Sequence, residues 1–169
     1  WQRLKKETKS GKGEARMSEI NAITVQASSP YQVIIGQDLL SKTGDYLSTL
    51  VQKNYQKIAV ISDSNVAPIY ATTVLESLEK SGYSPFLYVF PAGESSKSFP
   101  QTERLISWLS EHSFTRSDLL IALGGGVTGD LAGFAASIYL RGCDFVQIPT
   151  TLLAAIDSSV GGKTAINIP

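Results

Sequence analysis

Three consecutive glycines stand where an apolar, strand-like run gives way to a helical pattern. Residues Leu119–Leu123 lead into residues 124–130, which read Gly-Gly-Gly-Val-Thr-Gly-Asp, and then into the helical pattern of Leu131–Tyr139. Glycines at such a turn let the backbone approach a pyrophosphate closely, with the amides of the helix start pointing at it. The spacing is neither G-x-G-x-x-G nor a Walker loop, since no Lys-Ser or Lys-Thr follows. A tight turn that only packs the helix on the sheet is the alternative.

A second polar cluster follows another strand-like run, in residues 149–164, which read Pro-Thr-Thr-Leu-Leu-Ala-Ala-Ile-Asp-Ser-Ser-Val-Gly-Gly-Lys-Thr. Thr150 and Thr151 offer hydroxyls, and Lys163 offers a point charge suited to a phosphate or carboxylate. Asp157 could bind a sugar hydroxyl or tune a proton transfer. Singly, Thr151 reads as a helix N-cap, Asp157 as a loop acid and Lys163 as a solvated charge. Their crowding into one short segment favours a binding site.

Two further pairs are weaker candidates. Asp63 and Asn65 end an apolar run, where an acid often holds an adenosine ribose, although Asx turns need no ligand. Glu94 and Lys97 lie in a Gly-Glu-Ser-Ser-Lys loop, where a surface ion pair is the alternative. Asp130 follows the glycine turn, where it could contact a ribose or a nicotinamide, or only stabilise the helix dipole.

These candidates follow four apolar runs that alternate with helical patterns, which predicts an α/β fold with a Rossmann-like parallel sheet flanked by helices. Ligands of such sheets bind beyond the carboxyl ends of the strands, where the candidates cluster. Alternation at Ile23–Gln26 and Tyr31–Ile35 predicts a short antiparallel pair at the N-terminus. The four runs are Ile58–Ser62, Phe86–Phe90, Leu119–Leu123 and Phe145–Ile148.

Helical spacing of apolar residues predicts three helices that alternate with these strands. Ser98, with Pro100 in the first turn and Gln101 three residues on, predicts a helix start with a capping box. The apolar faces are Leu40, Leu47, Leu50 and Val51; then Tyr70, Val74 and Leu78; then Leu105, Ile106 and Leu109.

Composition excludes several classes of protein. The 169 residues are 43% hydrophobic and 18% charged, which suits a folded domain. Fifteen basic residues balance fifteen acidic ones, so no net field indicates nucleic acid, and no apolar run has the ~20 residues of a membrane span. The single cysteine, Cys143, agrees with a reducing compartment. We expect the sole histidine, His112, to lie at the surface and to bind no metal.

The first segment differs in composition from the rest. Residues 1–16 hold six basic and two acidic residues, and the remainder is left with nine and thirteen. Met17 follows this polar, lysine-rich stretch. We therefore expect residues 1–16 to be a tag, linker or disordered segment and residues 17–169 to form one domain.

Together these motifs resemble the 3-dehydroquinate synthases, a family of the sugar-phosphate cyclase superfamily. The resemblance covers Tyr31–Pro169, and it is most specific in the glycine turn, in Arg141-Gly142 and in residues 149–164. It implies a zinc- or cobalt- and NAD-dependent conversion of 3-deoxy-D-arabino-heptulosonate 7-phosphate to 3-dehydroquinate and phosphate, in the shikimate pathway of aromatic amino acid biosynthesis. Such an enzyme would be a cytoplasmic homodimer.

The resemblance also implies roles for individual residues. Asp157 and Lys163 resemble substrate contacts, and Arg141 resembles a residue lent to the phosphate pocket of a neighbouring subunit. Residues resembling dinucleotide contacts are Asp63, Asn65, Glu94, Lys97, Gly125, Gly126, Val127, Asp130, Thr150 and Thr151.

One departure from the family is large. Its metal ligands, one Glu and two His, come from a helical C-terminal domain, whereas this sequence ends at Pro169 and contains one histidine. We therefore expect an NAD-binding domain without its catalytic partner domain, inactive alone, with metal ligands outside this chain. The alternatives are the same domain of another sugar-phosphate cyclase, such as 2-deoxy-scyllo-inosose synthase, and a non-catalytic binding module.

Overall fold

The structure, a computed structural model, describes residues 21–27, 30–50 and 53–168 of the chain. Residues 1–16, for which the sequence predicts a tag or linker, and Val51 lie outside these ranges. The chain divides into two compact units, residues 1–37 and residues 38–169.

The first unit contains a two-stranded antiparallel hairpin, as the sequence predicts. Strand β1 (Asn21–Val25) pairs with strand β2 (Tyr31–Ile35), so that Asn21 lies opposite Ile35. β1 begins two residues before the predicted Ile23 and ends before Gln26.

The second unit contains the predicted parallel sheet. All four predicted strands are confirmed, each extended by one or two residues, and their order across the sheet is β4-β3-β5-β6. The central pair, β3 and β5, is almost wholly buried, which explains why both strands are continuous apolar runs. The strands are β3 (Lys57–Asp63), β4 (Ser84–Phe90), β5 (Leu119–Gly124) and β6 (Asp144–Pro149).

Four helices cover the two faces of this sheet. Helices α1 and α2 pack with alternate residues of β3, including Ile58 and Val60, on one face, whereas α3 and α4 pack with Ala59 and Ile61 on the other. None of the helices in the described part of the chain is long and apolar enough to cross a membrane. The helices are α1 (Thr43–Leu50), α2 (Ala67–Lys80), α3 (Phe99–Glu111) and α4 (Gly126–Ile138).

The strand order creates a topological switch point between β3 and β5. The chain steps from β3 outward to β4, and then returns past β3 to form β5 and β6. The helices that follow β3 and β5 therefore leave on opposite faces of the sheet and open a crevice beyond the carboxyl ends of these two strands. Any ligand of this domain is expected in that crevice.

Two helix starts differ in detail from the sequence prediction. Helix α3 begins after Ser98 as predicted, but the Ser98 side chain makes no capping bond, and Gln101 Nε2 instead donates to the Tyr88 hydroxyl at 2.8 Å. The capping box is therefore wrong, because Gln101 is buried against β4 and does not reach back to Ser98. Helix α4 begins at Gly126, five residues before Leu131, so its first turn is built from the glycine motif.

The predicted apolar face of α1 is correct only in part. Leu47 is buried and Leu40 packs against the core from a 3-10 turn that precedes α1. Leu50 is 37% exposed at the end of the helix. The helical spacing placed Leu50 on the buried face, but α1 ends at this residue and its last turn extends beyond the core.

The first testable consequence concerns Ser62, which is fully buried in β3 and whose Oγ donates to the Leu123 carbonyl in β5 at 2.7 Å. We expect Ser62→Ala to lower the free energy of unfolding by about 1–2 kcal/mol, because the buried carbonyl loses a donor at the switch point. Urea denaturation measures the loss. The control is Ser107→Ala on the exposed side of α3, which is expected to change stability by less than about 0.5 kcal/mol. Equal losses in the two variants would contradict this role for Ser62.

Candidate functional site

The glycine turn lies at the carboxyl end of β5, with different constraints on its three glycines. A Cβ at Gly124 would overlap the side chain of Thr128, so packing requires glycine there. A Cβ at Gly125 would lie 3.4 Å from Thr151 Cγ2, and one at Gly126 would lie 3.4 Å from Ser158 Oγ, both ordinary contact distances. Packing alone therefore explains Gly124, whereas Gly125 and Gly126 keep the start of α4 free of side chains.

The amides at the start of α4 are available as hydrogen-bond donors. The Gly129 amide makes the first backbone bond of this turn, to the Gly125 carbonyl at 3.0 Å. The amides of residues 126–128 precede it and have no acceptor within the helix. They lie at the positive end of a 13-residue helix dipole, which favours an anionic ligand such as a phosphate.

Asp63 joins β3 to α4 across the switch point. Its Oδ1 accepts from the amides of Asn65 at 2.9 Å and Val66 at 3.1 Å, and its Oδ2 accepts from Thr128 Oγ1 at 3.2 Å. The Asx turn that the sequence offered as an alternative is therefore present. The Asn65 side chain is exposed at the same edge of the sheet. A ligand role for either residue stays a prediction.

The loop after β4 brings Lys97 to the glycine turn. Lys97 Nζ lies 2.6 Å from Asp130 Oδ2, and both side chains are only 18% exposed. The alternative of a surface ion pair between Glu94 and Lys97 is wrong, because each residue has another partner: Glu94 Oε1 accepts from Asn167 Nδ2 at 2.8 Å. Asp130 is the fifth residue of α4, so it faces this loop one turn beyond the helix start.

The carboxyl end of β6 adds hydroxyls beside the glycine turn. The Thr150 amide donates to the Gly124 carbonyl at 2.9 Å, and Thr151 Oγ1 accepts from the Ala154 amide at 3.2 Å, the N-cap role foreseen as its alternative. Thr150 Oγ1 and Ser158 Oγ are buried and have no hydrogen-bond partner in the part of the chain that the structure describes. Two unpartnered buried hydroxyls next to a glycine turn fit a polar ligand, because such atoms are otherwise costly.

The predicted substrate contacts lie on an exposed turn. Asp157 is in a π-helical turn, Ala154–Ser158, and Lys163 follows two glycines with positive φ, Gly161 at 106° and Gly162 at 69°. Both charged side chains are exposed. The positive φ angles explain the Gly-Gly pair, because residues with a Cβ rarely adopt them.

Arg141 lies at the opposite end of α4 from the glycine turn. It follows the C-terminal end of α4, whereas the glycine turn forms the N-terminal end, and a helix of this length separates them by about 20 Å. Arg141 is exposed there. It therefore does not reach the glycine turn of its own chain, and its predicted role in the phosphate pocket of a neighbouring subunit stays a prediction.

The described residues offer no metal centre. Within residues 21–27, 30–50 and 53–168, no three His, Cys, Asp or Glu side chains are grouped so that they could hold a metal ion. The prediction that His112 lies at the surface is wrong in part, because it is half-buried, with its ring 4.4 Å from that of Trp108 and its Nδ1 2.8 Å from the Trp108 carbonyl. The donor set of this part of the chain does not fit a zinc or cobalt site.

The geometry of the described residues therefore fits a dinucleotide site. The helix start can hold a pyrophosphate, and the carboxylates and hydroxyls around it can bind ribose hydroxyls. Sequence reasoning missed three residues of this site: Thr128, Ser158 and Asn167. Thr128 lies inside the glycine motif and Ser158 inside residues 149–164, but nothing in the sequence distinguishes either residue from its neighbours.

Comparison with known proteins agrees with this geometry. Residues 87–169 match the family model described as the N-terminal part of 3-dehydroquinate synthase. The 3-dehydroquinate synthase of Lactococcus lactis subsp. cremoris is 51% identical over 138 residues, which cover 82% of this chain and 38% of the relative. The chain thus spans less than two fifths of the length of the curated relatives it matches.

Solved structures that superimpose on this chain include two other cyclases. A 2-deoxy-scyllo-inosose synthase, solved with carbaglucose-6-phosphate, NAD⁺ and Co²⁺, superimposes with a TM-score of 0.80 at 26% identity, over 88% of this chain and 40% of that one. A 2-epi-5-epi-valiolone synthase from Streptomyces hygroscopicus subsp. jinggangensis, with NAD⁺ and Zn²⁺ bound, has a TM-score of 0.62 at 30% identity, over 68% of this chain and 32% of that one.

The second testable consequence concerns Cys143, the only cysteine. Burial, reinforced by the charges of Asp144 and Asp118, raises the pKa of the Cys143 thiol to about 11. The thiol is therefore protonated at pH 8, and we expect it to react with a disulfide reagent at least about tenfold more slowly in the folded chain than in urea. Absorbance of the released thiolate follows the reaction. Equal rates in the two conditions would contradict the partly buried environment of Cys143.

Proposed function

Because the chain belongs to the 3-dehydroquinate synthase family and matches the N-terminal part of its members, we propose that it is the NAD-binding domain of a 3-dehydroquinate synthase. The proposed enzyme converts 3-deoxy-D-arabino-heptulosonate 7-phosphate to 3-dehydroquinate and phosphate. The observation that carries the proposal is the open start of α4 at the switch point, formed by Gly125 and Gly126 and bordered by two buried hydroxyls that have no partner among the described residues. A pyrophosphate is the ligand that such a helix start suits best.

Different residues around this opening would bind different parts of a dinucleotide. Gly125, Gly126 and Val127 would present backbone amides to the pyrophosphate. Asp63 and Asn65, on the neighbouring strand end, would bind a ribose, the role of an acid that follows a strand in this kind of fold. The remaining proposed dinucleotide contacts are Glu94, Lys97, Asp130, Thr150 and Thr151.

A bound NAD would supply reversible removal of a hydride from a ring hydroxyl of the substrate. This chain would then orient the substrate relative to the cofactor. We propose that Lys163 and Asp157, which are exposed on the turn that follows β6, bind and orient the substrate. The Lys163 ammonium suits an anionic group of the substrate, and the Asp157 carboxylate can accept a hydrogen bond from a sugar hydroxyl.

The proposed enzyme would need two further components, a metal site and a second subunit. The metal, zinc or cobalt, would need ligands from elsewhere, because the described side chains do not form a metal centre. Two of the similar solved structures contain Co²⁺ or Zn²⁺. Arg141, at the far end of α4, would serve the phosphate pocket of a second subunit in a cytoplasmic homodimer.

A second candidate is the same domain of a different sugar-phosphate cyclase. It is favoured by the structural similarity to 2-deoxy-scyllo-inosose synthase. The identity of 26% to that protein is about half of the 51% to a 3-dehydroquinate synthase, so the first assignment is preferred. A non-catalytic binding module, in which the glycines serve packing alone, is disfavoured because packing requires only Gly124 of the three.

The third prediction tests the cofactor site. We expect Gly125→Val to weaken NAD binding by about tenfold or more, because a branched side chain would occupy the space that the pyrophosphate needs. Gly125→Ala is expected to have a smaller effect, since a Cβ there makes only an ordinary contact with Thr151. Isothermal titration gives the affinities, and thermal denaturation checks the fold. Ser107→Val, exposed on α3, serves as the control. Equal affinity of Gly125→Val and the parent would refute the assignment.

The fourth prediction separates binding from catalysis. We expect this 169-residue chain to bind NAD but to release no phosphate from the heptulosonate phosphate, even with NAD and zinc supplied. A catalytic zinc site needs about three protein ligands and an open position, and the sequence contains one histidine. A phosphate-release assay decides the question. Turnover that a zinc chelator abolishes would contradict the prediction.

A further inference from the structure

A short segment near the end of the described chain, residues 164–167, joins two parts of the candidate site. We call this segment the strap. Thr164 packs its methyl group on Gly133 of α4, where even a Cβ would overlap it. Ile166 packs against the core cluster formed by α3, α4 and the sheet. The strap is therefore fixed to α4 before it reaches Asn167.

Asn167 fixes the other end of the strap to the loop between β4 and α3. Its backbone amide donates to the Lys97 carbonyl at 2.8 Å, and its side-chain Nδ2 donates to Glu94 Oε1 at 2.8 Å. Asn167 also forms an isolated parallel bridge with Ser98. One residue thus holds both the main chain and a carboxylate of this loop.

The loop in turn is joined to the glycine turn. Lys97 Nζ lies 2.6 Å from Asp130 Oδ2 on α4, in a pair that is largely shielded from water. Gly93, which begins the loop, has a φ of 117°, a conformation that residues with a Cβ rarely adopt. The loop has backbone hydrogen bonds of its own, and Asn167 adds the bond to the Glu94 side chain.

We propose that Asn167 is a positioning residue, which orders the loop of residues 93–98 so that Glu94 and Lys97 face the dinucleotide at the glycine turn. The inference rests on the proposed NAD-binding function. Asn167 would act through Glu94 and through the Lys97 backbone, to which its Nδ2 group and its backbone amide donate.

The test compares NAD binding by variants of the whole chain, measured by isothermal titration. Asn167→Ala removes the bond to Glu94 but keeps the backbone bond, and we expect it to weaken binding about tenfold, as expected for a lost hydrogen bond to a carboxylate. Asn167→Asp, which places a second carboxylate against Glu94, is expected to weaken binding further. In a Glu94→Ala background, Asn167→Ala is expected to have less than a twofold effect, because the partner is already absent.

Hydrogen exchange provides a measurement that does not depend on the cofactor. We expect Asn167→Ala to raise amide exchange rates in residues 94–98 but not in the buried strands β3 and β5. The control is Asn54→Ala, the same substitution at an exposed residue before β3, which should change neither affinity nor exchange in the loop.

The outcomes separate this inference from the proposed function. Parent-like affinity of Asn167→Ala, or an equal loss in the parent and Glu94→Ala backgrounds, would overturn the positioning role even though the chain binds NAD. A parent chain that does not bind NAD contradicts the proposed function. The cofactor part of the inference then falls with it, and the exchange rates alone decide whether Asn167 orders the loop.

Discussion

The arrangement of this domain depends on the point where β3 and β5 lie side by side and the chain leaves them toward opposite faces of the sheet. A parallel sheet with right-handed crossovers must open at such a point. Two side chains bridge the opening at its edge: Ser62 donates to the Leu123 carbonyl, and Thr128 donates to Asp63. These bonds fix the start of α4 relative to the end of β3, and the candidate site is built on that relation.

The three glycines of the turn serve two different physical purposes. Gly124 is needed for close packing against Thr128, whereas Gly125 and Gly126 leave the first amides of α4 uncovered. The neighbouring strand β6 is held to the same turn by the bond from the Thr150 amide to the Gly124 carbonyl. The turn therefore joins three strand ends to one helix start, which places donors, carboxylates and hydroxyls around a single opening.

Much of this arrangement could be predicted from the sequence, because local signals specify it. The apolar runs predict the four strands, and the triple glycine after Leu123 predicts the strand-to-helix turn. The start of α4 was harder to place, because glycines have low helix propensity and yet form its first turn here. Leu50 was misplaced because periodicity does not reveal where the core ends along a helix.

The pairing of side chains across the site could not be predicted from the sequence. Lys97 pairs with Asp130, which is 33 positions away, and not with its near neighbour Glu94. Glu94 instead accepts from Asn167, which is 73 positions away. Such partners are chosen by the order of the strands and the path of the strap, and no local spacing carries that information. His112 likewise resembles a surface residue in sequence, but its ring lies 4.4 Å from that of Trp108, because it caps the C-terminal end of α3 four residues after Trp108.

The central claim is that a dinucleotide binds at the open start of α4, and NMR titration of the ¹⁵N-labelled chain with NAD tests it most directly. The account predicts saturable shifts that are largest at the amides of residues 125–128, with smaller shifts at Asp63 and Thr150. Absence of any saturable shift, or shifts confined to another face of the sheet, would contradict it.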